Sequence, residues 1–307
     1  MSIQLTILGY NSATPKVDSH PTAQLLNVNE RFILIDCGEG TQVQLRRARA
    51  KFSKINHIFI SHLHGDHVFG LIGFISTMQL MGKITPLNIF GPEGIKDFIL
   101  NQLKHTQSKC SYEIIFHELS HKDSRLIFED NKLEVYNIPL DHRIYCNGYL
   151  VKEKPRLKNL NIEAIQAYPE IETCDYFNLK KGKDFVLSSG EIIPNDILTF
   201  PQEEPLSYAF CSDTRYKEDL VDIIKGVDLL YHETTFDKSL GELAYKTGHA
   251  TAEQAAIIAK KAEVGKLIMG HFSNRYTDLS ILLSEAREIF PESYLPKNLE
   301  IVEVKRN

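Results

Sequence analysis

Apolar residues fall along this chain in short, β-branched runs, each closed by glycine, proline or small polar residues. Residues 3–8, 23–28 and 32–35 read as strands on that pattern. A loop with Pro15, Asp18 and Pro21 as breakers separates the first two. Asp36-Cys37-Gly38-Glu39-Gly40 closes the third, and 41–50 carries a helical pattern. Further strands are expected at 55–60, 86–90, 133–138, 206–211, 227–231, 267–269 and 299–304. Residues 68–81 read as one largely buried helix, and Gly91-Pro92-Glu93-Gly94 opens another over 95–104. Thr251-Ala252-Glu253-Gln254 has the form of a capping box. Ala255, Ile258, Ala259 and Ala262 follow at i, i+3, i+4 and i+7, a stripe to lay against a sheet. A last helix is expected over 278–289, before Pro291. Strand-rich half, insert, strand-rich half predicts two packed sheets with helices outside.

The insert is the stretch 151–205, rich in Lys, Glu, Asn and Pro and weakly periodic. Residues 152–183 are expected to leave the core as an arm, since loops of such length are functional or disordered. Lys152, Lys154, Arg156 and Lys158 set four cations against the single acid Glu153, and Lys180, Lys181 and Lys183 add three more. Runs of this kind form solvated faces, and they also form nucleic-acid contacts.

Polar residues at the strand ends carry the chemistry. Residues 55–60 run into Ser61-His62-Leu63-His64-Gly65-Asp66-His67, three histidines and a carboxylate within six positions. One histidine on a loop is ordinary, but this density leaves few jobs other than holding a metal. The next strands end in the same way: His142 after 133–138, Asp213 after 206–211, His232-Glu233 after 227–231, and His271 after 267–269. Five strands ending in metal-competent or acid–base residues predict one site along one sheet edge.

Composition enters mainly by exclusion. The 307 residues suffice for one large domain, with 43% hydrophobic and 24% charged residues. A net charge of −5 argues against a chain that is basic overall. Five scattered cysteines without a C-x-x-C pair form neither a disulfide framework nor a cysteine zinc site, which fits a reducing cytosol. The N-terminus lacks a signal-peptide pattern, and the stretch 68–81 is too short to span a bilayer. A cytoplasmic protein without membrane attachment is expected.

Seven ligand-type residues suffice for two metals. A sensible division puts His62, His64 and His142 on one, Asp66, His67 and His271 on the other, with Asp213 bridging. Two such metals suit hydrolysis of a phosphodiester, which needs charge neutralisation and an aligned nucleophile. His249, close before the capped helix, is the candidate proton donor, with Glu233 to orient it. Asp66, Glu233 and His249 are thus the catalytic candidates.

The 61–67 motif with His142, Asp213 and His271 resembles the metallo-β-lactamase superfamily. More narrowly, the chain resembles the ribonuclease Z family of tRNA 3′-processing endonucleases in its short form. Asp36 to Gln42, Ser212-Asp213-Thr214-Arg215, His232 to Phe236, His249-Ala250-Thr251 and His271 to Tyr276 carry that likeness. It implies a single αββα four-layer domain over 1–307, with the 152–183 segment as a flexible arm that grips tRNA. It implies two Zn2+ per chain, a homodimer, and precursor tRNA as partner; by donor chemistry alone, Mn2+ or Fe2+ could substitute for zinc. Cleavage would fall 3′ to the discriminator nucleotide, leaving a 3′-hydroxyl on the tRNA and a 5′-phosphate on the trailer. Asp36 would be structural, Arg275 a phosphate contact, and Lys152, Lys154, Arg156 and Lys158 arm contacts. The alternative within the superfamily is a phosphodiesterase for small cyclic or aryl diesters. Two departures from the family pattern stand out: 16–21 reads Lys-Val-Asp-Ser-His-Pro, and 152–183 holds no Gly-Pro pair.

Overall fold

The computed structural model describes residues 3–16 and 19–305; Asp18, read above as a breaker, lies outside them. The strands of the first half are β1 (Ile3–Gly9), β2 (Ala23–Val28), β3 (Arg31–Ile35), β4 (Ile55–Phe59), β5 (Leu87–Pro92) and β6 (Ile114–Leu119). Those of the second half begin with β7 (Leu126–Glu129), β8 (Leu133–Pro139) and β9 (Asn147–Glu153). A small ribbon of β10 (Phe185–Val186) and β11 (Ile192–Ile193) comes next. Then follow β12 (Ser207–Cys211), β13 (Leu229–Glu233), β14 (Lys266–Gly270), β15 (Ser293–Tyr294) and β16 (Ile301–Glu303).

Two seven-stranded sheets result, ordered β16-β1-β2-β3-β4-β5-β6 and β15-β14-β13-β12-β9-β8-β7. Each turns from antiparallel to parallel: β3, β4, β5 and β6 run parallel in the first, β12 to β15 in the second. Alternate side chains explain the layering. Ile33, Ile35, Phe59, Tyr208, Phe210 and Tyr231 pack in one apolar cluster fed by both sheets. Leu34, Ile58 and Ile60 point the other way, onto Leu71, Phe74 and Ile75 of the helix Leu71–Leu80. Ala209, Leu230 and Leu267 likewise meet Ala255, Ile258 and Ala259 of the helix Ala252–Lys261. Helix, sheet, sheet, helix is the four-layer αββα arrangement. With both faces covered, the parallel strands read as continuous apolar runs rather than alternating ones.

The capping box is present: Thr251 accepts from Gln254, whose side chain reaches back to the Thr251 backbone. The helix expected over 68–81 is instead two pieces, Gly65–Val68 and Leu71–Leu80. Gly70 sits at the break. Its N–H donates to the Cys37 carbonyl at 2.9 Å, and a Cβ there would lie 2.1 Å from the Gly38 carbonyl oxygen. This close backbone contact, which only glycine allows, frees the short first piece to aim Asp66 and His67 at the site.

The chain divides into two compact units, residues 1–152 with 206–307, and 153–205. The second therefore continues past 183, and it has an apolar cluster of its own around Ile165, Ile171, Leu179, Ile193 and Leu198. Asn195 is its polar hub, donating to the carbonyls of Leu179 at 2.7 Å and Lys183 at 2.9 Å. No helix among the described residues is long and apolar enough to cross a membrane.

Candidate metal centre

The strand ends meet along one rim of the two sheets. His62, His64, Asp66 and His67 follow β4, His142 follows β8, Asp213 follows β12, Glu233 ends β13 and His271 follows β14. Asp36, Asp213 and His271 all turn with φ near +60°, at 56°, 63° and 57°. Asp and His tolerate this left-handed backbone better than most side chains, and it swings each one off its strand toward the rim.

Two trios of donor atoms form there. His62 Nε2 lies 2.9 Å from His64 Nδ1, which lies 3.2 Å from His142 Nε2. Asp66 Oδ2 is 3.5 Å from both His67 Nε2 and His271 Nε2, and those two nitrogens are 3.4 Å apart. Asp213 stands between the trios. Its Oδ1 is 3.9 Å from both His62 Nε2 and His142 Nε2. Its Oδ2 is 3.1 Å from His67 Nε2 and 3.3 Å from His271 Nε2.

The outward ring nitrogens are already committed. His67 Nδ1 donates to Asp36 Oδ2 at 2.7 Å, and Asp36 also accepts from the Ser61 N–H and hydroxyl. His142 Nδ1 donates to the Gly248 carbonyl at 2.7 Å. His271 Nδ1 lies 3.1 Å from the Thr235 hydroxyl, and His62 Nδ1 lies 3.0 Å from that of Ser61. These partners fix the tautomers and leave Nε2 lone pairs aimed inward. Ring nitrogens facing one another at contact distance make poor hydrogen-bond partners but a good ligand set. Burial pushes His62, His64 and His142 below the ordinary imidazole range, toward the neutral form that ligates. Burial works against a charged His67 too, but Asp213, Asp36 and Asp66 crowd it and drive it the other way. That half of the site asks for positive charge, which a divalent cation supplies as well as a proton does. The donor set therefore fits metal.

Glu233 is fully buried and its carboxylate is saturated. It accepts from the Ala250 N–H at 3.1 Å, from the Thr214 N–H and from the Thr235 hydroxyl. It also holds His249 Nδ1 at 3.1 Å from Oε1. Burial opposes charge on His249, but Glu233 outweighs it and holds the imidazolium up to about 9. His249, Asp66, His271 and Phe236 line a cleft of about 650 Å³ that opens on the trios. Arg275 is exposed at its edge, with Cζ 5.3 Å from the Phe236 ring centre and Nε 3.3 Å from Ser273 Oγ.

The basic residues of the insert have contacts of their own. Lys152 is the next-to-last residue of β9, with Nζ 5.6 Å from the Tyr136 ring centre. Arg156 pairs with Glu153 at 2.9 Å, and Lys158 donates to Asn195 Oδ1 at 2.9 Å. Lys154 is half-buried. His232 turns into the core, its Nδ1 2.7 Å from the Glu233 carbonyl, and joins neither trio. Reading by residue type passes over Thr235, whose hydroxyl touches both Glu233 and His271, and the Ala13 N–H, which donates to Asp66 Oδ2 at 2.8 Å. Thr235 lies inside the 232–236 segment, but residue type gives its common hydroxyl no role, and the Ala13 N–H is a backbone group that no residue type marks.

This fold and this donor set define a metal-dependent hydrolase of the metallo-β-lactamase fold. The family model described as "Anti-Pycsar protein Apyc1" matches residues 3–114. Ribonuclease Z of Bacteroides thetaiotaomicron is 46% identical over 294 residues, 96% of this chain and 93% of that one. Ribonuclease Z of Cytophaga hutchinsonii is 45% identical over 297 residues, covering 96% and 94%. Among solved structures, the short form of human tRNase Z aligns with a TM-score of 0.71 at 26% identity, over 98% of this chain and 99% of that one. The metallo-β-lactamase fold protein YhfI of Bacillus subtilis, at 16% identity and a TM-score of 0.68 over 99% and 100%, shares the fold. The chain belongs to the ribonuclease Z family.

Proposed function

We propose that this chain is a zinc-dependent endoribonuclease that cuts precursor tRNA 3′ to the discriminator nucleotide. The products are a tRNA with a 3′-hydroxyl and a trailer with a 5′-phosphate. The observation that carries this reading is the convergence of two donor trios on opposite oxygens of Asp213, with His249 held by Glu233 on the same rim. The relatives named ribonuclease Z and the likeness to human tRNase Z support RNA as the substrate.

His62, His64 and His142 would hold one zinc ion, Asp66, His67 and His271 the second, and Asp213 would reach both. Bound there, a zinc pair supplies a nucleophile from water at neutral pH and neutralises phosphoryl charge. Manganese or iron suits the same nitrogen and oxygen donors. Asp66 keeps its own geometry through the Ala13 N–H. His249 donates a proton from Nε2 to the departing ribose 3′-oxygen, while Glu233 holds Nδ1 and supports the imidazolium. Arg275 at the cleft edge contacts a phosphate, which suits a guanidinium. The insert, proposed at 152–183 and from 153 onward within the compact unit 153–205, serves as the RNA-gripping arm through Lys152, at the end of the first unit, and Lys154, Arg156 and Lys158. A homodimer acting in the cytoplasm completes the proposal.

Metal analysis combined with two parallel assays tests it. About two zinc equivalents per chain and cleavage of precursor tRNA to a 3′-hydroxyl are expected. Hydrolysis of a small chromogenic diester without cleavage of precursor tRNA would overturn it in favour of a phosphodiesterase for small cyclic or aryl diesters.

A further inference from the structure

Beside the metal cleft, on the other side of the His142 loop, lies a second hollow of about 490 Å³. The two share one cationic side chain, Arg143, which lines both. Lys122 adds positive charge to the second hollow, Lys217 is paired with Asp219 at 3.3 Å, and Asp141 is the one acid among its described lining residues. That acid is neutralised: Arg215 Nη1 pairs with Asp141 Oδ1 at 2.9 Å, and the Arg215 N–H donates to the Asp141 carbonyl at 2.8 Å. The walls are tied together as well. The Tyr145 hydroxyl donates to the His121 carbonyl at 3.1 Å, and the Asp141 N–H donates to the Thr214 hydroxyl at 3.1 Å. Arg143 itself is exposed, and among the described residues no carboxylate pairs with it. A Cβ added at Gly248 would lie 3.3 Å from Arg143 Cγ, so its stem rests on the turn that carries His249.

We propose that this hollow is a subsite for the phosphodiester flanking the scissile one, with Arg143 as its main contact. This rests on the RNA-cleaving reading. A strand whose scissile phosphate lies at the trios and which continues past His142 crosses Arg143 into a rigid, positively balanced pocket. A planar guanidinium shared by two adjoining pockets suits a polyanion that spans both. Arg143 is a positioning residue here and takes no part in bond cleavage.

The test compares Arg143→Ala and Arg143→Lys with the wild type on precursor tRNA and on a small diester that carries one phosphate. For Arg143→Ala, KM for precursor tRNA is expected to rise about tenfold more than for the diester, with kcat moving less. The slope of log(kcat/KM) against log salt should become shallower by about 0.7 to 0.9, the share of one phosphate contact. Arg143→Lys should restore the slope and only part of the affinity, which a structural defect would not do. Equal losses on both substrates, or an unaltered slope, would overturn the subsite while leaving the nuclease reading intact. Failure of the wild type to cleave precursor tRNA would overturn both.

Discussion

Asp36 accepts a 2.7 Å hydrogen bond from Nδ1 of His67, and both side chains are fully buried. The bond holds the ring so that Nε2 points at Asp66, Asp213 and His271. Outer partners of this kind typically contribute 10- to 100-fold in metal affinity. Asp36→Asn should therefore weaken metal binding by about that factor while leaving the ligands in place. Competition with a chelator measures it. A variant that holds metal as tightly as the wild type would show that Asp36 does not orient His67.

Asp213 offers one oxygen to each trio. Asp213→Ala removes a donor from both at once, so metal content should fall and turnover should vanish. His64→Ala removes a donor from one trio only and should spare part of the metal. Metal analysis of the two variants side by side checks the division. Equal metal loss in both would argue that the trios do not act as separate sites.

His249 and Glu233 separate chemistry from metal retention, because neither belongs to the proposed ligand set. His249→Ala should keep its metal and lose about 10²- to 10⁴-fold in single-turnover rate, the usual share of a positioned proton donor. Glu233→Gln keeps the shape but weakens the hold on His249 and should fall between that variant and the wild type. Full activity of His249→Ala at neutral pH would remove it from the mechanism.

Much of this centre is readable from residue type and place alone. His62, His64, Asp66 and His67 stand out because such a density of ligands in six positions has few other uses. His142, Asp213 and His271 stand out because each closes an apolar run. The orienting partners do not stand out. The Gly248 carbonyl, the Ala13 N–H and the Thr235 hydroxyl act through positions that only folding creates. The strand β6 is missed for a different reason: it forms the edge of its sheet and is only partly covered, so its run lacks a clean period. The end of the insert is hidden too. Its elements are two to five residues long, too short to show periodicity, and they cohere through Asn195 and a five-residue apolar cluster.

His57 gives a test of stability against pH, outside the metal centre. It sits on β4 with its ring centre 4.3 Å from that of Phe128. Burial lowers it to about 4, although Asp130 pulls the other way. The fold thus favours the neutral ring, whereas the unfolded chain protonates near 6.5. Between those values the unfolded state binds more protons, so stability is complete above about 6.5 and is lost as pH falls toward 4. His57→Phe should reduce the loss seen between pH 7 and pH 5 by about 1–2 kcal/mol. Urea midpoints of the metal-free protein at the two pH values measure this. An identical loss in the variant would assign the acid sensitivity to other groups.

The insert can be removed without disturbing the sheet that flanks it. Lys152 and Ser207 face each other in the antiparallel pair of β9 and β12, so the segment leaves and returns at neighbouring points. A short Asn-Gly turn can close that pair as a hairpin. Residues 1–152 and 206–307 hold both sheets, the two helix layers and all the proposed ligands. The shortened chain should therefore fold, bind metal and hydrolyse a small diester at close to the wild-type rate. Its kcat/KM for precursor tRNA should fall by about 10²-fold or more, since the loss of several phosphate contacts compounds. Undiminished cleavage of precursor tRNA by this variant would remove the insert from substrate binding and leave recognition to the cleft and its rim.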